Sequence, residues 1–140
     1  MKRIVAIVIC LAFLASGLAR IGVSTLMIGQ AEGWWNFGGE ASEALADTIR
    51  FIGEREINLV GFSPVSYFGF IAFMGLTISL GAIGALLRRR WGMALIFTYI
   101  LSHAFLFVNF WTVNPKLAYL AAAAIGAALV AWAQRADAVS

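Results

Sequence analysis

Two ionisable side chains interrupt the long apolar runs of this sequence: Arg20, within the run that starts at Ile4, and His103, within the run that starts at Trp91. Charge in apolar surroundings is costly, so each is a starting point for function. Arginine would supply a charge for an anionic or quinone-like lipid-soluble ligand, and histidine a hydrogen bond or a proton relay. Helical rise sets their depth. Arg20 lies 16 residues past Ile4, roughly 24 Å, near the far edge of a bilayer where a long side chain can reach the surface. His103 lies 12 residues past Trp91, roughly 18 Å, in the same outer half. Asn109 sits higher still, and Tyr67 and Tyr119 open the two returning runs at a comparable level. Arg20, His103, Asn109 and Tyr67 are therefore the candidate ligand-binding residues.

Each has a structural alternative. Arg20 could anchor its helix or pair with Glu54, Glu56 or another outer acid. No acid lies inside the apolar runs, so His103 is expected as a neutral imidazole, bridging helices to Ser102, Asn109 or a tyrosine. One histidine cannot supply both axial ligands of a bis-histidine haem, nor a zinc site without more ligands than this depth offers. Cys10 stands alone, which leaves no disulfide framework and no thiolate metal site. No cofactor and no metal are expected. Proton-coupled multidrug export needs a carboxylate in the first run, and quinone reduction of the vitamin K epoxide type needs paired cysteines; both are missing. No nucleophile, base and orienting group can be assembled either, so no catalytic residue is assigned.

The elements that position these residues are membrane spans. A chain of 140 residues with 62% hydrophobic and 12% charged residues cannot bury that much apolar surface in one small soluble core. Its charges gather between runs of about 20 residues, the length a hydrocarbon core demands. Four spans are predicted, at about 4–28, 65–87, 91–111 and 117–133, in a single transmembrane domain covering 1–140. The first run has the basic start of a signal peptide, but apolar character resumes after Arg20 and a retained helix is expected. Ser63-Pro64 and Asn114-Pro115 mark helix starts, since proline at the first turn has no amide hydrogen to lose.

Lys2, Arg3, Arg88, Arg89, Arg90 and Arg135 fall at one set of span ends, which the positive-inside rule assigns to the cytoplasm together with both termini. These basic residues thus read as topology signals rather than as a nucleic-acid surface. Trp91 and Trp132 mark the inner interface, and Trp34, Trp35 and Trp111 the outer one. Between the first two spans, residues 30–63 form an acidic outer segment. Ala41, Leu45, Thr48, Ile49 and Ile52 recur there at helical spacing, with Glu40, Glu43, Asp47, Arg50 and Glu54 on the other face. A short amphipathic helix from Glu40 to Ile52 is predicted, bounded by Gly38-Gly39 and Gly53, with Leu45, Ile49 and Ile52 turned toward the spans.

Lipid chains are as apolar as leucine, so helix association must come from close packing and hydrogen bonds. Ala122, Ala123 and Ala124 precede Gly126, Ala127 and Ala128 by four residues, and Gly75 with Ser79 and Gly81 with Ala85 repeat that spacing. Short connections at Arg88–Arg90 and Asn114–Lys116 impose antiparallel neighbours. The fold class is thus an all-α membrane protein, an antiparallel four-helix bundle with one extra outer helix. The first run ends in Phe13-Leu14-Ala15-Ser16-Gly17-Leu18-Ala19-Arg20, a glycine followed three positions later by a basic residue; Gly69 and Gly75 through Gly84 stud the second span. With the basic turn Arg88-Arg89-Arg90 and the alanine-rich last helix, this layout resembles the DoxX-like group of small four-span bacterial membrane proteins. The resemblance implies an inner-membrane accessory role, in some members linked to redox or respiratory systems. Two functions are expected to compete, ahead of a third, transport as an oligomer, for which the midplane ionisable pair is missing. One is a non-catalytic accessory or scaffold subunit, whose partners are the lipid bilayer and other membrane subunits or further copies of itself. The other is a redox or quinone/lipid-ligand-binding helper with its pocket in the outer half of the bundle.

Overall fold

Between Lys2 and Ala31 the chain has no proline, and its charges are Lys2, Arg3 and Arg20; it forms one continuous helix, α1 (Lys2–Ala31). The structure is a computed structural model that describes residues 1–54 and 58–138, with side chains as far as Arg135. At 1.5 Å per residue α1 is about 45 Å long, well beyond a hydrocarbon core of about 30 Å. It is followed by α2 (Gly39–Gly53), α3 (Pro64–Leu86), α4 (Arg90–Phe110) and α5 (Leu117–Ala138). Helices α1, α3, α4 and α5 are each long and apolar enough to cross a bilayer, and the chain is an all-α, multi-pass integral membrane protein. In the bundle α1 packs on α3 and α5, and α4 packs on the same two helices, so consecutive spans are antiparallel neighbours around a ring.

Local chemistry sets the ends. Ser63 Oγ accepts from the Ser66 amide at 3.1 Å while Ser66 Oγ accepts from the Ser63 amide at 2.8 Å, a capping box with Pro64 in the first turn of α3. Arg88 adopts a left-handed conformation (φ 56°); its amide bonds to the Ala85 carbonyl and that of Arg89 to Gly84, so α3 closes in a Schellman turn and reverses into α4. Before α5 the Asn114 side chain accepts from the Lys116 amide at 2.9 Å, and the helix begins at Leu117 rather than at Pro115.

Packing between spans rests on small residues, as lipid-embedded helices require. A Cβ on Gly17 of α1 would strike Ser79 Oγ and come within 2.7 Å of the Gly75 carbonyl; a Cβ on Gly75 would meet the Gly17 carbonyl at the same distance. Gly84 and Gly92 bring α3 and α4 together in the same way, a Cβ on Gly84 lying 2.7 Å from the Gly92 Cα. The Gly75–Ser79 and Gly81–Ala85 pairs are thus used within the chain. On α5 the inward set is Ala123, Gly126, Ala127, Val130 and Ala133, while Ala122, Ala124 and Ala128 face outward. Around this seam lies a core of Met74, Ile78, Ile96 and Val130. At the basic end, Lys2 Nζ sits 4.7 Å from the Trp132 ring centre and Gln134 donates to the Ala85 carbonyl at 2.9 Å.

At the opposite end α2 lies across the bundle, against α1 and α3. Its bounds match the expected Glu40–Ile52 within a residue. Ala41, Leu45, Thr48 and Ile52 are half-buried, but Ile49 is 49% exposed. The inward place expected for Ile49 is taken by Phe51, whose ring packs 4.9 Å from that of Phe110. Trp35 folds back on the last turns of α1: its indole covers Gly29 and donates to the Leu26 carbonyl at 2.9 Å.

Candidate functional site

The Gly17–Gly75 contact also places Arg20. Three residues beyond Gly17, Arg20 leaves the same face of α1, and its Cβ would lie 3.0 Å from a Cβ on Gly75, so the missing side chain makes room for the arginine stem. The side chain then runs into the bundle. Its guanidinium carbon lies 5.5 Å from the ring centre of Tyr99 on α4, a cation–π contact, and its Nε is buried without a hydrogen-bond partner. The expected pairing with an outer acid is not formed with any described residue: among the described residues the one ion pair joins Arg50 to Asp47 at 3.3 Å. Glu54 is exposed, and Glu56 lies outside the described residues.

On α4, Tyr99, His103 and Phe107 recur every fourth residue and share one face. Tyr99 is buried with its hydroxyl 3.4 Å from His103 Nδ1, and the imidazole stacks on Phe107 with ring centres 5.5 Å apart. His103 is 6% exposed. Of the partners foreseen for it the one in place is a tyrosine, not Ser102 or Asn109, and because Tyr99 lies one turn earlier on α4 the contact stays within that helix and does not bridge helices as expected.

Above these groups opens a cavity of about 550 Å³, within the range of small-molecule sites. Arg20 and His103 lie deepest, Phe68, Ile71 and Leu106 form apolar wall, and Thr48 and Phe51 of α2 roof it. Asn114, Lys116 and Tyr119 line its rim, so the described lining carries two cations, Arg20 and Lys116, and one carboxylate, Asp47, which meets Arg50 in an exposed pair at 3.3 Å. Tyr67 joins the wall, its ring 6.1 Å from those of Phe62 and Phe110.

Three of the four candidate residues, Arg20, His103 and Tyr67, therefore line one cavity, and Asn109 does not. Asn109 is fully buried elsewhere: Oδ1 accepts from the Val60 amide at 2.7 Å and Nδ2 donates to the Val60 carbonyl at 3.1 Å. Both ends of its amide are thereby committed to pinning the outer segment onto α4. Sequence reasoning missed Tyr99, Phe51 and Lys116. The position of Tyr99 four residues before His103 was a usable signal; that of Phe51 was obscured by placing Ile49 inward. The arrangement can bind and orient an oxygen-bearing head beside an apolar wall. Among the described residues no group of three or more His, Cys, Asp or Glu side chains converges on a point that could hold a metal ion. Comparison with protein-family models, with curated proteins and with solved structures yields no match for this chain.

Proposed function

We propose that this membrane protein holds a lipid-soluble ligand in the cavity of its outer half, as a non-catalytic binding helper that serves a larger membrane assembly. The observation that carries this is the state of Arg20: a guanidinium at the bottom of a largely aromatic cavity, with no carboxylate among the described residues to neutralise it. Charge at membrane depth is retained where it serves a ligand, a relay or a pair. Among the described residues no pair is formed, and the single imidazole beside it has one tyrosine as its partner. In this proposal the basic span ends and both termini face the cytoplasm of a bacterial cell, and α2 covers the site from the outside. The DoxX-like layout supports an accessory role of this kind, since its glycine and basic residue, Gly17 and Arg20, are the pair that sets the helix contact and supplies the buried charge.

Purification in mild detergent followed by mass spectrometry of the extracted amphiphiles is the test. The native chain is expected to carry a defined species in near-stoichiometric amount, and Arg20→Gln to lose it while its helical content is unchanged. Identical lipid profiles in both proteins would overturn the proposal.

A further inference from the structure

The ligand-binding role proposed above leaves open what kind of head group the site takes; the geometry of three side chains narrows it. Arginine offers hydrogen-bond donors and no acceptor. Its guanidinium sits over the Tyr99 ring, 5.5 Å from the ring centre, and the Tyr99 hydroxyl stands 3.4 Å from His103 Nδ1; in the Nε2–H tautomer that hydroxyl donates to Nδ1. A neutral imidazole that accepts at Nδ1 carries its hydrogen on Nε2. Among the described residues that nitrogen has no hydrogen-bond partner, and His103 lines the cavity. From the deep end, then, two donors face the ligand, one of them charged. At the rim Lys116 adds a second cation, while Asp47, the carboxylate among the described lining residues, lies at the exposed surface with Arg50 3.3 Å away.

We infer that the cavity selects an amphiphile whose head is an anionic oxygen acceptor on a single apolar chain, such as a long-chain carboxylate or an alkyl phosphate. A head that must donate hydrogen would leave the guanidinium and the imidazole N–H facing donors, and a buried unmatched donor is penalised more than a made bond is rewarded. A neutral alcohol satisfies neither cation. The volume of about 550 Å³ accommodates the head with one chain or ring system beside it. Charge-assisted bonds to carboxylate or phosphate are about twice as strong as neutral ones, so the preference should be large.

Binding to the full-length protein in nanodiscs is to be measured with palmitate, hexadecyl phosphate, hexadecanol and hexadecylamine, which share one chain and differ in the head. Either anion is expected to bind at least about ten-fold tighter than the alcohol, with the amine weakest, and the better of the two anions identifies the head as carboxylate or phosphate. Arg20→Gln should remove most of that preference. His103→Gln, whose amide still donates, should keep more of it than His103→Leu. The chain has a single histidine, so ¹⁵N-histidine labelling reads this ring alone: the Nε2–H tautomer is expected, with the Nε2 signal shifting on addition of palmitate and the tautomer preference weakened in Tyr99→Phe. Equal binding of palmitate and hexadecanol would overturn the selection for anions while leaving the cavity a ligand site. An Nδ1–H tautomer in the free protein would overturn the donor assignment of His103. Absence of binding by all four compounds would overturn both this inference and the ligand-binding role beneath it.

Discussion

Single side chains in this protein separate into those that hold the fold and those that face the cavity, and the two groups should respond differently to substitution. Asn109 holds the fold. Asn109→Leu strands the Val60 amide and carbonyl, and is expected to cost about 1 to 3 kcal/mol in unfolding experiments, with earlier proteolysis around residues 58–62. The polar contact of His103 is one long hydrogen bond to Tyr99 within α4, so His103→Leu should cost about 0.5 to 1.5 kcal/mol, the net scale of a single hydrogen bond, and His103→Gln less. A far larger loss of thermal stability in His103→Leu would make it a structural linchpin. The polarity and depth of Arg20 and His103 were legible in the sequence because rise per residue converts position into depth. Their common cavity was not, since depth leaves the direction around the helix axis undetermined. Asn109 was legible as polar at the right height, and its amide nonetheless serves a backbone segment whose path no periodicity announces.

For the helices, the decisive feature is where small residues meet. Gly75→Val would drive a branched side chain into the Gly17 carbonyl and the Arg20 stem, and overpacking of this kind is expected to destabilise by about 1 to 3 kcal/mol or more, and to disturb the cavity with it. Gly22→Val on the next turn of α1 meets nothing within 4 Å and should be close to neutral. Thermal unfolding of the two variants side by side checks this; equal effects would mean that α1 and α3 do not meet at Gly17. On α2 the expected order is set by exposure. Leu45→Glu should weaken docking of the helix on the spans, whereas Ile49→Glu and Glu43→Ala should be tolerated, as read by protease resistance of residues 30–63. The amphipathic pattern gave α2 its limits within a residue and four of its five inward positions. The fifth failed because a short helix lying obliquely on a bundle buries an arc wide enough to accept Phe51, and aromatic stacking on Phe110 decided which neighbour took it. A further signal in α1 went unread: Cys10, Gly17 and Ser24 recur every seven residues and are all buried, a heptad-spaced seam along the helix.

The whole molecule is an antiparallel bundle whose two ends differ in charge, and that difference is the basis of its proposed orientation. Cysteine introduced in place of Glu43 should react with an impermeant maleimide added to intact cells, and cysteine in place of Ser140 only after lysis, with Cys10 a silent background because it is buried. The reverse pattern would invert the topology. The number of apolar helices long enough to span, the limits of α2 within a residue and the helix start at Ser63 were determined by the sequence alone, because each depends on local quantities: run length, period, and the hydrogen-bonding needs of a helix end. What only the tertiary structure decided is the rotation of each span about its axis. In water, burial of apolar faces would fix that rotation and leave its mark on the sequence; in lipid every face is apolar, so the choice falls to close contacts between small residues on different helices. Gly17 against Gly75 made that choice for α1, and by doing so it turned Arg20 inward to Tyr99 and the cavity rather than outward to the acidic surface.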